Sequence, residues 1–171
     1  GFRETFLKSL YAHAVFCDRY TEDYGAGGNH LIADATALQF AGSLFASEGP
    51  AKAWAKRGWD ILCRQISRQV GEDGVDFEGS TAYHRFVAEL FAWAARVRSA
   101  DGGEIPPAFA ACLKLMAEFT TAYSRRDGRA PLWGDNDNGR ALPFGGQRLN
   151  DHSYIPALIA ASLSGDNAPA S

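Results

Sequence analysis

Two short segments of this chain carry polar side chains that could do acid–base chemistry. The first follows the run Gly27-Gly28 and contains Asn29 and His30. The second contains four residues of this kind: Glu78, Tyr83, His84 and Arg85. Amides, imidazoles and guanidinium groups donate hydrogen bonds, and phenols, imidazoles and carboxyl groups exchange protons. Both segments are therefore candidates for a binding or catalytic site.

Each of these residues also has an ordinary structural explanation. Asn29 is a favoured helix N-cap, whose side-chain oxygen accepts from an unpaired backbone N–H. Tyr83 shares a helix face with Phe86 and Val87, so it could be a core aromatic with a hydrogen-bonded hydroxyl. His84 and Arg85 could form a solvated first turn, although a cation at a helix N-terminus opposes the helix dipole.

Helices must position these segments, because helical spacing of apolar residues dominates the chain. The clearest helix face runs from Tyr83 to Val97. Turn signals containing Gly, Pro and Asp separate the helices and predict antiparallel αα-hairpins. The other predicted helices cover about 29–46, 4–19, 51–69, 107–125 and 153–164, and residues 165–171 form a frayed tail.

The segment from about 130 to 150 contains several glycines and prolines and cannot be one regular element. An irregular segment of that length in a compact domain is commonly functional. It contains Trp133, an aromatic residue outside the helical pattern, and Asp135. The tryptophans at helical spacing, Trp54, Trp59 and Trp93, are predicted to belong to the core instead.

Composition narrows the class of partner and cofactor. The 171 residues include 17 Lys and Arg against 20 Asp and Glu, which predicts one globular domain with a net charge of −3. We expect neither a nucleic-acid nor a membrane partner. The three cysteines are predicted to be buried thiols. No complete set of metal ligands and no dinucleotide fingerprint occurs, so we expect no metal and no cofactor.

Three stretches taken together resemble a known family: GGNHLIADATALQFAGSLF, DGVDFEGSTAYHRFVAELF and PLWGDNDNGR. Their order and spacing are similar to those of the heparinase II/III group of polysaccharide lyases, from about residue 6 to residue 158. The family often shows Asn-Asn-His, and here Gly28 replaces the first Asn. The residues carried over, Asn29 and His30, are the second and third of that motif.

The resemblance implies cleavage of an acidic uronate-containing polysaccharide by β-elimination at C5 and C4. It implies catalytic roles for Asn29, His30 and Tyr83. The base form of Tyr83 would need nearby positive charge, for which His84 and Arg85 are the local candidates. Glu78, His84, Arg85, Trp133 and Asp135 are the predicted substrate-binding residues.

The resemblance also implies a fold and a location. We expect an all-α class with αα-hairpins that form part of an incomplete (α/α) toroid. Residues 1–171 would be a single helical domain, without the family's C-terminal β-sandwich domain, so the isolated chain would be an incomplete enzyme. The extracellular nature of the polymer implies a periplasmic or secreted protein.

Two other functions fit the same residues. A glycoside hydrolase on an (α/α) toroid would use two carboxylates and water, and Glu78 with Asp135 could form that pair. A non-catalytic helical scaffold would bind a polysaccharide or a protein and would show no turnover. The product distinguishes them, because elimination leaves an unsaturated uronate that absorbs ultraviolet light.

Overall fold

The structure, a computed structural model, describes residues 1–25, 27–142 and 146–164. Over these ranges the chain forms six helices: α1 (Phe2–Arg19), α2 (Gly28–Leu44), α3 (Ala51–Gln69), α4 (Thr81–Ala100), α5 (Pro107–Tyr123) and α6 (Ile155–Leu163). The described ranges contain two isolated β-bridges and no strand. The predicted all-α class is confirmed, and each predicted helix is present to within a few residues of its predicted ends. The predicted frayed tail, 165–171, lies outside the described residues.

The helices pack around a shared core. α4 packs against both α2 and α6, α3 packs against α2, and α5 packs against both α6 and α3. The core is apolar and is built largely from Leu31, Leu62, Phe91, Phe109 and Met116. Because α2 and α4 are neighbours, residues at their ends can form one site.

The contact between α2 and α3 depends on two glycines. A Cβ atom at Gly58 would lie within 3.0 Å of the Ala35 carbonyl oxygen and the Gln39 nitrogen. A Cβ atom at Gly42 would be equally close to the backbone of Ala55. The two helix backbones are therefore in direct contact, which no residue with a side chain would allow at these positions.

The aromatic and cysteine predictions have different outcomes. Trp54 and Trp59 are buried, as predicted, with exposures of 3% and 7%. The cysteines at 17, 63 and 112 are free but only half-buried, so the prediction of buried thiols is wrong in degree. Each lies on a helix at the edge of the core, where part of its surface stays in solvent.

The irregular segment after α5 has no helix in its described part, as predicted. Its two ends are joined by backbone hydrogen bonds. Ala130 N–H donates to the Asn150 carbonyl at 2.9 Å, and His152 N–H donates to the Gly128 carbonyl at 3.0 Å. The segment is thus a loop with clasped ends, a form common at functional sites.

None of the helices in the described ranges is both long enough and apolar enough to cross a bilayer.

Gly58→Ala tests the close approach of α2 and α3. Alanine favours a helix over glycine by about 1 kcal/mol, yet here we expect a loss of about 1 to 3 kcal/mol because the added methyl group must push the helices apart. The free energy of unfolding in urea measures the change. Gly49→Ala is the matched control, since nothing lies within 4 Å of its Cβ position, and its effect should stay within about 0.5 kcal/mol. Equal effects of the two variants would contradict the packing argument.

Candidate active site

The starts of α2 and α4 meet at one end of the fold, and Glu78 joins them. One carboxylate oxygen of Glu78 accepts from the Asn29 backbone N–H at 2.5 Å. The Asn29 side-chain Nδ2 donates to the two carboxylate oxygens at 2.9 and 3.2 Å. The N-cap of α2 is Gly27, which has no side chain to cap the helix. The N-cap explanation of Asn29 is therefore wrong, because its amide is directed to another segment.

His30 pairs with a residue that the sequence pattern did not identify. Its Nδ1 lies 3.0 Å from a carboxylate oxygen of Glu22, and the imidazole is largely exposed. An ionised carboxylate only accepts, so Nδ1 is the donor in this contact. The Glu22 backbone N–H donates to Asp34 at 2.9 Å, which holds the loop before α2 in place. No local motif marks Glu22.

Ser80 and Thr81 attach the irregular loop to the start of α4. The Ser80 hydroxyl oxygen caps the helix by accepting from the N–H groups of Ala82 and Tyr83, both at 3.2 Å. The same hydroxyl donates to the Asp135 carbonyl at 2.5 Å. The Thr81 N–H donates to the Trp133 carbonyl at 3.0 Å. The structure thus places the predicted residues of the loop beside those of α4.

Gly134 makes this attachment possible. Its φ is +73°, a conformation that side chains disfavour, and a Cβ atom there would meet the backbone of Gly79 and Ser80 at 2.7 and 2.8 Å. Trp133 is 73% exposed on the surface next to it. That Trp133 and Asp135 contact a sugar remains a prediction.

Tyr83 is half-buried, and its hydroxyl donates to a carboxylate oxygen of Asp137 at 3.3 Å. Partial burial raises the pKa of Tyr83, and the negative charges of Asp137, Asp135 and Glu78 raise it further. A base role would require nearby cations that lower the pKa of Tyr83, and His84 and Arg85 do not lower it. Tyr83 is a protonated phenol at neutral pH, and in this state it donates a proton.

His84 and Arg85 are each only 1% exposed. Neither can touch a polysaccharide in this structure, so their predicted substrate-binding roles are corrected to structural support, and the solvated-turn explanation is also wrong. His84 Nδ1 accepts from the Asp76 N–H at 3.4 Å, and its Nε2 lies 3.0 Å from the Thr120 hydroxyl. Burial lowers the pKa of His84 to about 4, so the ring is neutral at neutral pH.

Arg85 forms a buried ion pair that holds the irregular loop. Its Nη1 lies 3.2 Å from Glu89, one turn along α4, and Nη2 donates to the Gly139 carbonyl at 2.5 Å. The Glu89 carboxylate also accepts from the Ala141 N–H at 2.7 Å and from the Tyr154 hydroxyl. The spacing of four residues between Arg85 and Glu89 is typical of an ion pair on a helix, but the sequence does not indicate that the pair is buried.

Asp76 links His84 to Glu78. Its Oδ2 accepts from the Glu78 N–H at 3.1 Å, while Oδ1 is buried with no hydrogen-bond partner in the described part of the chain. Burial raises the pKa of Asp76 to about 7, and the Glu78 charge also raises it. Among the described residues, no group of three or more His, Cys, Asp or Glu side chains is placed to hold a metal ion.

Asp76→Asn tests the buried carboxyl group. Because folding raises the pKa from 3.8 to about 7, the wild-type group stabilises the fold fully below pH 3.8, and this contribution is lost as the pH rises through 7. The free energy of unfolding of the variant, relative to that of the wild type, should therefore rise by roughly 2 to 4 kcal/mol between pH 4 and pH 8. Urea unfolding of both proteins measures the difference. A difference that does not change with pH would contradict the prediction.

Glu89→Ala tests the buried ion pair. Removing the carboxylate leaves the Arg85 cation buried without its charge partner, and we expect a loss of about 3 to 5 kcal/mol in unfolding free energy. Asp60→Ala is the matched control, because it breaks a pair with Lys56 at the same helical spacing on the exposed surface. Its loss should be about 0.5 kcal/mol. Similar losses in the two variants would show that burial does not matter here.

Comparison with known proteins agrees with this geometry. The chain matches the family Heparinase II/III N-terminus over residues 1–142. It is 32% identical over 136 residues to a heparin-sulfate lyase of Bacteroides stercoris, and the matched part is 78% of this chain and 20% of that protein. It is 28% identical over 138 residues to a heparin-sulfate lyase of Pedobacter heparinus, which covers 80% and 20%. The chain thus spans about a fifth of the length of these relatives.

Two solved structures have a similar fold. A crystal structure of heparinase III superposes with a TM-score of 0.67 and 29% identity, over 74% of this chain and 19% of that chain. A second heparinase III superposes with a TM-score of 0.63 and 32% identity, over 76% and 20%. The resemblance predicted from the Asn29 and Tyr83 segments is confirmed. By its sequence and by its helical fold, the chain belongs to the heparinase II/III family.

Proposed function

We propose that this chain forms part of the active site of a polysaccharide lyase that cleaves an acidic, uronate-containing polymer by β-elimination. The observation that carries the proposal is that Asn29, His30 and Tyr83 lie at the starts of two adjacent helices, which Glu78 joins. Family membership supports the lyase class. The relatives named heparin-sulfate lyases make heparan sulfate the first polymer to test.

The reaction needs a group that neutralises the uronate carboxylate. The proton on C5 is weakly acidic, and a neighbouring anion makes its removal harder, so charge developing toward an enolate must be stabilised. Asn29 and His30 are in the first turn of α2, where the helix dipole favours a negative charge. In this proposal both residues bind the carboxylate.

Tyr83 acts as the general acid. Because its phenol is protonated at neutral pH, it delivers its proton to O4 of the leaving sugar as the C4–O4 bond breaks. The electrons of the C5–H bond form the double bond between C4 and C5. The C5 proton passes to a separate base, which the family resemblance supplies as a histidine of a C-terminal β-sandwich domain.

The hydrolase alternative is less well supported by the geometry. It needs Glu78 as one of two working carboxylates, but both oxygens of Glu78 accept hydrogen bonds from Asn29. With both oxygens held by Asn29, neither is free to face a glycosidic oxygen. Glu78 is therefore poorly suited to the role of general acid.

The proposal concerns a longer protein, since the part of this chain that matches the relatives is only 20% of their length. We propose that the helices here are part of an (α/α) toroid and that a β-sandwich domain covers its cleft. A periplasmic or secreted location follows from the polymer class. Without those parts, we expect this chain alone to have weak or no activity, because the cleft that positions the polymer is incomplete.

Incubation of the full-length protein with a panel of uronate polysaccharides tests the proposal. We expect ultraviolet absorbance to rise as unsaturated uronate forms, and Tyr83→Phe to lower kcat by about 10²- to 10⁴-fold through loss of the acid. Tyr20→Phe changes an exposed tyrosine at the C-cap of α1; it is the matched control and should retain full activity.

Other products would change the assignment. Release of reducing ends without the absorbance change would indicate a glycoside hydrolase. Binding of a polymer without either product would indicate a non-catalytic scaffold. Full activity of Tyr83→Phe would remove Tyr83 from the mechanism while leaving the lyase class intact.

A further inference from the structure

We propose that Glu78 is a positioning residue that orients the Asn29 amide so that an N–H, and not the carbonyl oxygen, faces the substrate carboxylate. This role rests on the lyase function proposed above. It also replaces the substrate contact predicted for Glu78 from the sequence. The carboxylate of Glu78 would repel an acidic polymer, whereas its hydrogen bonds to Asn29 serve the binding of that polymer.

The orientation follows from what a carboxylate can accept. Both oxygens of Glu78 lie within hydrogen-bond distance of Asn29 Nδ2, at 2.9 and 3.2 Å. An ionised carboxylate has no donor, so the group that faces it must be the NH2 and not the carbonyl of the amide. The network thereby fixes the amide in one of its two flipped orientations.

One N–H of the amide remains for the substrate. Nδ2 carries two hydrogens, and the two oxygens of a single carboxylate lie in nearly the same direction from it. The second hydrogen can therefore donate to a uronate oxygen. In the flipped amide, the carbonyl oxygen would take the place of this donor and would be repelled by the substrate anion.

Glu78 is itself held at the correct place. Its N–H donates to Asp76 at 3.1 Å, and the Asp76 N–H donates in turn to the buried His84 at 3.4 Å. Its carboxylate also accepts from the Asn29 backbone N–H, so it is fixed to the α2 backbone as well as to the side chain. The side chain that positions Asn29 is thus connected to the core.

Gly28 leaves room for this arrangement. A Cβ atom at Gly28 would lie 3.0 Å from a Glu78 carboxylate oxygen, and the residue has a φ of +55°. A side chain there would crowd the carboxylate and strain the backbone. The position where the family often has an asparagine is thus a glycine that lets Glu78 approach.

The test measures kcat and KM of the full-length protein for Glu78→Gln, Asn29→Ala and the double variant. Because the bond to the developing enolate matters most in the transition state, Glu78→Gln should lower kcat by about 10- to 100-fold with a smaller change in KM. The double variant should be no slower than Asn29→Ala alone, since Glu78 acts only through Asn29. Glu72→Gln, an exposed residue in a nearby turn, is the control for loss of one charge.

A swapped pair separates positioning from folding. In Asn29→Asp with Glu78→Gln, the new amide can donate to the new carboxylate, so the melting temperature should recover relative to Asn29→Asp alone. Activity should stay lost, because a carboxylate now faces the substrate. Activity restored together with stability would show that no amide donor is needed at position 29 and would overturn the positioning role.

The outcomes distinguish the two proposals. Suppose that the wild type forms unsaturated product. An unchanged kcat in Glu78→Gln would then overturn the positioning role alone, and so would a double variant whose loss is the product of the two single losses. Absence of unsaturated product from the wild type on every polymer would overturn the lyase function, and the positioning role with it.

Discussion

The hydrogen bonds between Glu78 and Asn29 are the interaction on which the rest of the site depends. They join the start of α2 to the turn before α4, two segments that are 49 residues apart in the chain. Each helix start carries partial positive charge from the helix dipole. A carboxylate between two such ends is favoured by both, and Glu78 also accepts from the Asn29 N–H of α2. This interaction explains why two polar segments can lie together among largely apolar helices.

Helix geometry then separates neighbouring polar residues into different roles. Successive residues on an α-helix point about 100° apart, so Tyr83 is half-buried at the surface while His84 and Arg85 are in the core. A buried charge needs partners. Arg85 finds them in Glu89 and in the Gly139 carbonyl of the irregular loop. The interactions that make this burial tolerable therefore also order the loop that carries Asp137.

The site contains more negatively charged side chains than one would expect for a site that binds an anionic substrate. Glu78, Asp135 and Asp137 all raise the pKa of Tyr83, which keeps the phenol protonated and suited to donation. In the proposed mechanism, attraction for an acidic polymer must then come from hydrogen-bond donors at the helix starts and from His30. The proposed proton donor and the proposed anion-binding groups are on different elements, so each can be altered separately.

The sequence by itself determined the helices and their ends, because apolar spacing and turn residues act over a few positions. It also indicated the family, through the polar residues at the two helix starts. For Ser80 the sequence indicated only its place at a helix start. Its hydroxyl also donates to the Asp135 carbonyl, which is 55 residues away and which no local pattern indicates.

Tertiary structure alone decided which polar residues face the core and which partners they have. Glu22, Glu89 and Asp137 gained their roles through contacts across loops and between elements, and local periodicity carries no record of such contacts. The protonation state of Tyr83 likewise depends on charges from a segment folded against it. Burial and charge proximity are properties of the packed chain, so these assignments could follow only from its three-dimensional arrangement.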